Sequence, residues 1–211
     1  MTMSNTRTIV FSSVLGLICA ALLVAANIFT KPYRVANEKA EEVLNILGTL
    51  GVPIGERADA KALLDTFAAN VRVEKRGELT FYEYVPGGGA SDSAVAVAVP
   101  FAGAGLWGPI KGVLAFENDL LTIRGIRFYQ QEETPGLGGE IGTDSFEKLF
   151  DGKKIVSASG EPGFDLVRPG DPAGENSVNA ITGATMTCNR VKAMLNNLAI
   201  EMSKARDEHG K

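Results

Sequence analysis

Charged residues are absent from residues 8–30, and the apolar clusters Ile9-Val10-Phe11, Val14-Leu15 and Ala20-Ala21-Leu22-Leu23-Val24 occupy that interval. A helix of roughly 23 such residues rises about 34 Å at about 1.5 Å per residue, enough to cross a bilayer. Arg7 and Lys31 bracket the run as charges commonly bracket a spanning helix. The small residues ending Val24-Ala25-Ala26 also suit a cleaved signal peptide. The run is long for a signal-peptide core, however, so an uncleaved anchor is the expectation.

Beyond the anchor the period changes. Val35, Val43, Leu44 and Leu47 mark a helical stretch over residues 34–47, predicted as a stalk that breaks between Gly48 and Gly55. Residues 58–69 suit a second short helix. Strand patterns follow at residues 71–74, 80–85, 94–99, 110–116 and 121–129, with turns at Gly87-Gly88-Gly89 and Glu117-Asn118-Asp119. Closely spaced strands without intervening helices predict an antiparallel sheet. A helix is predicted over residues 144–150, and another from Thr187 with Val191, Met194, Leu195, Leu198 and Met202 on one stripe. The class is α+β: a single N-terminal transmembrane helix, then a domain with an antiparallel sheet and flanking helices. The expected division is residues 1–30 as anchor, 31–70 as juxtamembrane helical stalk and 71–211 as the functional domain.

Composition narrows the chemistry. The 211 residues allow one domain with an appendage, and a hydrophobic share of 45% with 22% charged residues suits a packed core. A net charge of −4 with mixed signs offers no basic stripe for nucleic acid. The one histidine, His209, lies in the C-terminal tail, so a histidine-dependent hydrolase or a His-ligated metal centre is excluded. Cys19 falls in the apolar run and Cys188 in the domain, which supports neither a disulfide framework nor a thiolate metal site. Arg7 precedes the anchor while Lys31, Arg34 and Lys39 follow it. That count alone favours a cytoplasmic domain, although the rule weakens for large translocated domains.

Two stretches carry candidate chemistry. In Glu133-Thr134-Pro135-Gly136-Leu137-Gly138-Gly139-Glu140, the glycines permit close backbone approach to a flat ligand, and Pro135 stiffens the path. The same residues also suit a plain surface turn. In Thr182-Gly183-Ala184-Thr185-Met186-Thr187, three hydroxyls sit ahead of an amphipathic helix, where free N–H groups and the helix dipole favour an anionic phosphate. One of these threonines acting simply as the helix cap is the competing reading.

Together the two stretches resemble the FMN-binding domain family. Thr182-Gly183-Ala184-Thr185-Met186-Thr187 is similar to that family's Ser/Thr-Gly-Ala-Thr-x-Thr flavinylation motif, and Glu133-Thr134-Pro135-Gly136-Leu137-Gly138 to its second signature, a loop lying against the isoalloxazine. The resemblance implies covalent FMN, esterified through its phosphate to Thr187 by a flavin transferase that draws on FAD. It covers most of the chain from Lys31 onward.

Within the family, Gly105-Leu106-Trp107-Gly108 and the ending Gly138-Gly139-Glu140 resemble the C subunit of sodium-translocating NADH:quinone reductases, with the G subunit of the Rnf complex as the close paralogue. That implies an electron-carrying component of an ion-pumping oxidoreductase, with other members of the complex, the flavin transferase and the membrane as partners. It also implies a domain on the periplasmic side of the inner membrane, against the charge count. A membrane-tethered redox sensor and a cofactor-free ectodomain are the competing classes. Asn179 departs from the family, which commonly has Asp four residues before Gly183. Trp107 is open to packing on the flavin or at a strand edge, and Arg190 and Lys192 to meeting the phosphate or staying solvated.

Overall fold

The computed structural model describes residues 5–55, 58–87 and 93–209, with side chains described as far as Arg206. Gly88 and Gly89 of the expected turn, and the side chain of His209, lie outside the described residues. Two compact units are present, Met1–Glu41 and Glu42–Lys211.

The first unit is helical and contains an uncharged stretch, with no residue buried, that is long and apolar enough to cross a membrane. It belongs to α1, Asn5–Leu50, which continues into the second unit. The helix passes through Gly48 and stops at Gly51, whose φ is +73°. There Val52 N–H bonds to Leu47 O at 2.9 Å and Gly51 N–H to Gly48 O at 3.1 Å, which closes the last carbonyls in a Schellman cap. The break expected between Gly48 and Gly55 therefore falls at Gly51, where the left-handed backbone is needed.

In the second unit, α2 (Ala60–Asn70) begins at Asp59, whose carboxylate accepts the Ala62 N–H at 2.7 Å. Five strands follow: β1 (Val71–Arg76), β2 (Leu79–Tyr84), β3 (Ala96–Ala104), β4 (Pro109–Glu117) and β5 (Ile123–Gln130). They pair in chain order as one antiparallel sheet, as the strand spacing predicts. After a short 3-10 turn (Gly138–Gly142) come α3 (Asp144–Glu147) and a second 3-10 turn (Lys148–Phe150), so the helix predicted over residues 144–150 is split. β6 (Asp165–Val167) and β7 (Ser177–Asn179) form a separate parallel pair that the sequence pattern does not predict. The chain then enters α4, Thr185–His209.

Both faces of the sheet are covered. Val97, Val99 and Phe101 of β3 and Ile110, Leu114 and Phe116 of β4 point to one core, where Val191, Met194, Leu195, Leu198 and Met202 of α4 meet them. The alternate positions, Ala96, Ala98, Val113 and Ala115, face Val43, Ile46, Leu47 and Leu50 of α1 and Leu63 of α2. Successive side chains of a strand point to opposite faces, so central strands buried on both sides lose the polar alternation of an edge. The predicted stripe of α4 is thus the surface that fixes its position, and its first turn is carried on a rigid element.

Leu195 is fully buried in that stripe. Leu195→Ala should cost about 2–5 kcal/mol, the range for truncating a core leucine. A melting curve of the purified protein should show a clear drop in Tm.

Candidate functional site

Three segments meet at one carboxylate. They are the loop after β5 (residues 131–137), the hairpin loop between β3 and β4 (residues 105–108) and the first turn of α4. Glu133 is only 5% exposed. Its Oε1 accepts the Leu106 N–H at 2.8 Å and the Trp107 N–H at 3.1 Å. Its Oε2 accepts the Thr187 hydroxyl at 2.5 Å, and its own N–H donates to Gln131 Oε1 at 2.6 Å. Burial pushes the Glu133 pKa up, but the bonds from the Thr187 hydroxyl and the Trp107 and Leu106 amides outweigh it. The carboxyl is held below its ordinary value.

Close approach explains two of the glycines. A Cβ on Gly138 would lie 2.5 Å from Thr187 Oγ1, and one on Gly105 would lie 2.5 Å from Glu133 Oε1. The loop after β5 is tightened by Thr134 O, which accepts from Leu137 N at 3.1 Å and Gly139 N at 2.9 Å. Gly136 turns it with φ +74° and donates its N–H to Glu140 Oε1 at 3.1 Å. Ahead of α4, Gly183 has φ +79° and would touch Leu137 Cδ2 at 3.0 Å if it carried a Cβ. The two sequence stretches are therefore in contact.

Of the predicted residues, Glu133, Gly138 and Thr187 come together in the interior, and Leu137 sits against Gly183. Ala184 is buried, whereas Thr134, Pro135, Gly136, Thr182, Gly183, Thr185 and Met186 are exposed. Thr187 is 2% exposed. The first helical bond of this turn runs from Cys188 N to Ala184 O at 2.9 Å. The amides of Thr185, Met186 and Thr187 precede it and have no carbonyl partner within the helix. Such an end favours an anion.

Several side chains differ from their sequence reading. Trp107 is no strand-edge core residue: it is 70% exposed at the hairpin tip. Lys192 pairs with Asp165 at 2.6 Å. Cys188 has a structural use, its Sγ accepting the Ile181 N–H at 3.3 Å, and burial pushes its thiol pKa up. Asn179 donates through Nδ2 to Asp171 O at 2.9 Å, a bond that an ionised Asp has no proton to make. The hairpin residues Leu106 and Trp107 were legible only as a signature. Their backbone role at Glu133 leaves no mark in side-chain type.

The arrangement fits FMN. It offers a hydroxyl in the first turn of a 25-residue helix, free amides for a phosphate, and glycines beside it. The exposed apolar side chains Leu106, Trp107, Leu137 and Met186 are carried on the three joined segments and can receive a flat aromatic ring. Among the described residues no cluster of three metal-ligating side chains occurs.

Comparison with known proteins agrees. Residues 105–200 match the FMN-binding domain family. Part of the chain is similar to the C subunit of the Na(+)-translocating NADH-quinone reductase. It is 41% identical over 104 residues to that of Vibrio anguillarum, covering 49% of this chain and 41% of the relative. For Chlamydia trachomatis the identity is 42% over 111 residues, covering 45% and 35%. The aligned region thus spans less than half the length of these curated relatives. The crystal structure of the same reductase component from Parabacteroides distasonis superposes with a TM-score of 0.65 at 27% identity, covering 79% of this chain and 92% of that one. The Shewanella oneidensis NqrC structure shares the fold, with a TM-score of 0.62 at 24% identity and coverage of 75% and 91%.

Two outcomes follow from the geometry. Gly138→Ala should destabilise the domain by about 1–3 kcal/mol through overpacking against Thr187. Gly142→Ala, whose Cβ meets only Phe128 O at 3.6 Å, should stay within about 0.5 kcal/mol, both variants being compared with the parent by urea titration. Because Glu133 has a folded pKa below its unfolded value, its stabilisation is complete above the unfolded pKa of about 4.3. It is lost as pH falls through the folded value. Glu133→Gln should therefore show a smaller fall in Tm between about pH 6 and about pH 3 than the parent protein.

Proposed function

We propose, on the premise that residues 105–200 belong to the FMN-binding domain family, that this chain carries FMN as a phosphoester on Thr187 within a sodium-translocating NADH:quinone reductase. The observation that carries the reading is the placement of the Thr187 hydroxyl. It lies in the first turn of α4, at the end of the Thr182–Thr187 motif and in contact with the Glu133–Gly138 loop. The relatives named for the C subunit of that reductase support the choice of complex.

FMN, when bound, supplies one- and two-electron exchange that side chains lack. The chain's own residues position it. The Thr185, Met186 and Thr187 amides and the helix end favour the phosphate. Exposed Leu106, Trp107, Leu137 and Met186 take up apolar ring surface, leaving an edge open to a neighbouring protein of the complex. No acid–base side chain is required for electron passage, which suits a domain whose single histidine lies at the tail. A covalent link also prevents loss of the flavin to bulk on the extracytoplasmic side, where we place the domain, with residues 1–30 as its anchor. A flavin transferase makes the link, and the other subunits of the reductase are the redox partners.

Thr187→Ala should abolish flavin fluorescence in a denaturing gel, after co-expression with a flavin transferase, while leaving the domain folded. Retention of a fluorescent band in that variant would place the attachment elsewhere.

A further inference from the structure

One backbone edge of β3 is only partly used. The strand runs from Ala96 to Ala104, yet β2 pairs with it only at Ala96, Val97 and Ala98. Two bonds fix the direction of the remaining groups. Gly105 N–H donates to Gly108 O at 2.8 Å, so the odd-numbered residues of β3 turn their backbone groups toward β4. Val85 N–H donates to Asn70 O at 2.8 Å, so the odd-numbered residues of β2 face β1, and Tyr82 and Tyr84 face Ala98 and Ala96. Pro100, Ala102 and Ala104 therefore direct their backbone groups away from β4. The next rung would join Thr80 to Pro100, which has no N–H to give, and the ladder stops there. Beyond it, among the described residues, no strand pairs with the N–H and C=O groups of Ala102 and Ala104.

Such an edge is commonly guarded by charge. β1, the outer strand, carries Arg72, Glu74, Lys75 and Arg76. Residues 99–104 carry no charge, and of the usual guards they have Pro100 alone. Beside them lies a groove of about 610 Å³, walled by α4 from Arg190 to Lys204, with Ala193 and Ile200 exposed on the helix side. The helix is pressed onto the strand at its middle: a Cβ on Gly103 would lie 2.6 Å from the Met194 side chain. Arg190 and Lys204 are exposed, and among the described residues neither is in an ion pair. Glu201 is the acidic residue between them.

We infer that this groove takes an extended segment of another protein, which adds to β3 at Ala102 and Ala104 and sets carboxylates against Arg190 and Lys204. Strand addition draws affinity from main-chain bonds and selectivity from alternate side chains. The spacing agrees. From Arg190 to Lys204, α4 rises about 21 Å at about 1.5 Å per residue. A strand covers about 20 Å in about six residues. Acidic residues six positions apart share the strand face turned to α4, with apolar residues at the alternate positions between them. The groove starts one helical turn from Thr187, so its occupant is held beside the proposed flavin site. Docking requires the edge and the groove and not the ester, so flavin-free protein serves for the test.

The probe is the capped peptide Asp-Thr-Val-Thr-Val-Thr-Asp, titrated into the full chain purified in detergent. Its control is the same peptide with Lys at both ends. Binding is followed by fluorescence anisotropy of labelled peptide, and amide exchange by TROSY NMR. The acidic peptide is expected to saturate below about 1 mM, about tenfold tighter than the control, and to slow exchange at Ala102 and Ala104. Ala102→Pro should weaken it by at least about tenfold. Its Tm should stay near the parent's, since the lost N–H faces away from β4. Should that variant fail to fold, Lys204→Glu serves in its place, and the preference for acidic ends should shrink or reverse.

No saturation up to about 1 mM, equal binding of the two peptides, or unchanged exchange at Ala102 and Ala104 overturns the inference. Concentration-dependent dimerisation in sedimentation, abolished by Ala102→Pro, also overturns it, because the edge then belongs to a second copy of this chain.

Discussion

A buried carboxylate must have its oxygens bonded or it becomes one of the costliest groups in a fold. Glu133 meets that demand with three donors, none from its own segment: two hairpin amides, 26 and 27 residues earlier, and a hydroxyl 54 residues later. The requirement locks three loops into one arrangement. Gly105 and Gly138 follow from it, because a methyl group at either position would overlap the carboxylate or the hydroxyl it holds. The turn at Gly183 follows at one remove, since Leu137 packs against it. What is presented to solvent around this bond, including Trp107 and Met186, is set by the bond beneath.

The sheet supplies the rigidity that makes such a constraint useful. β3 and β4 are buried on both faces, so the hairpin tip at residues 105–108 extends from the most firmly packed strands. α4 lies on one of those faces through its apolar stripe, and its first turn therefore has little freedom to drift from the hairpin. A hydroxyl on a packed helix and a carboxylate on hairpin amides can be held at hydrogen-bond distance, which two mobile loops would not manage. The pairing of α1 residues 43–50 with the opposite face explains why small Ala96, Ala98 and Ala115 alternate with large side chains on β3 and β4.

Much of this was legible in the sequence, where the cause was local. The period of α4 and the strand alternation follow directly from side-chain direction, and all five residues of the α4 stripe are buried as expected. The helix end was only bracketed between Gly48 and Gly55, because Gly48, Gly51 and Gly55 are all plausible stops. The distinguishing signal is the apolar Val52 directly after Gly51, which the Schellman cap uses. β6 and β7 escaped because three residues are too few to show a period. The candidate site divided in the same way. The motif around Thr187 could be read, and Glu133 was noticed as the first residue of a loop. Its role as the hub could not be, because the donors that bind it are backbone groups and a hydroxyl far away in the chain. Asn179 reads as a departure by residue type, and its side chain donates to the Asp171 carbonyl, a bond that an ionised Asp has no proton to make.

Under the proposed ester, the same bond would make the unmodified and esterified chains physically different. A free Thr187 donates to Glu133 and is covered. An ester at Oγ1 has no proton to give, and it would set a phosphate anion beside a carboxylate in a partly dry site. Two anions so placed repel strongly unless each has its own donors. The structure provides separate sets. Glu133 keeps the Leu106 and Trp107 amides on Oε1, and a phosphate on Thr187 would have the amides and positive end of α4.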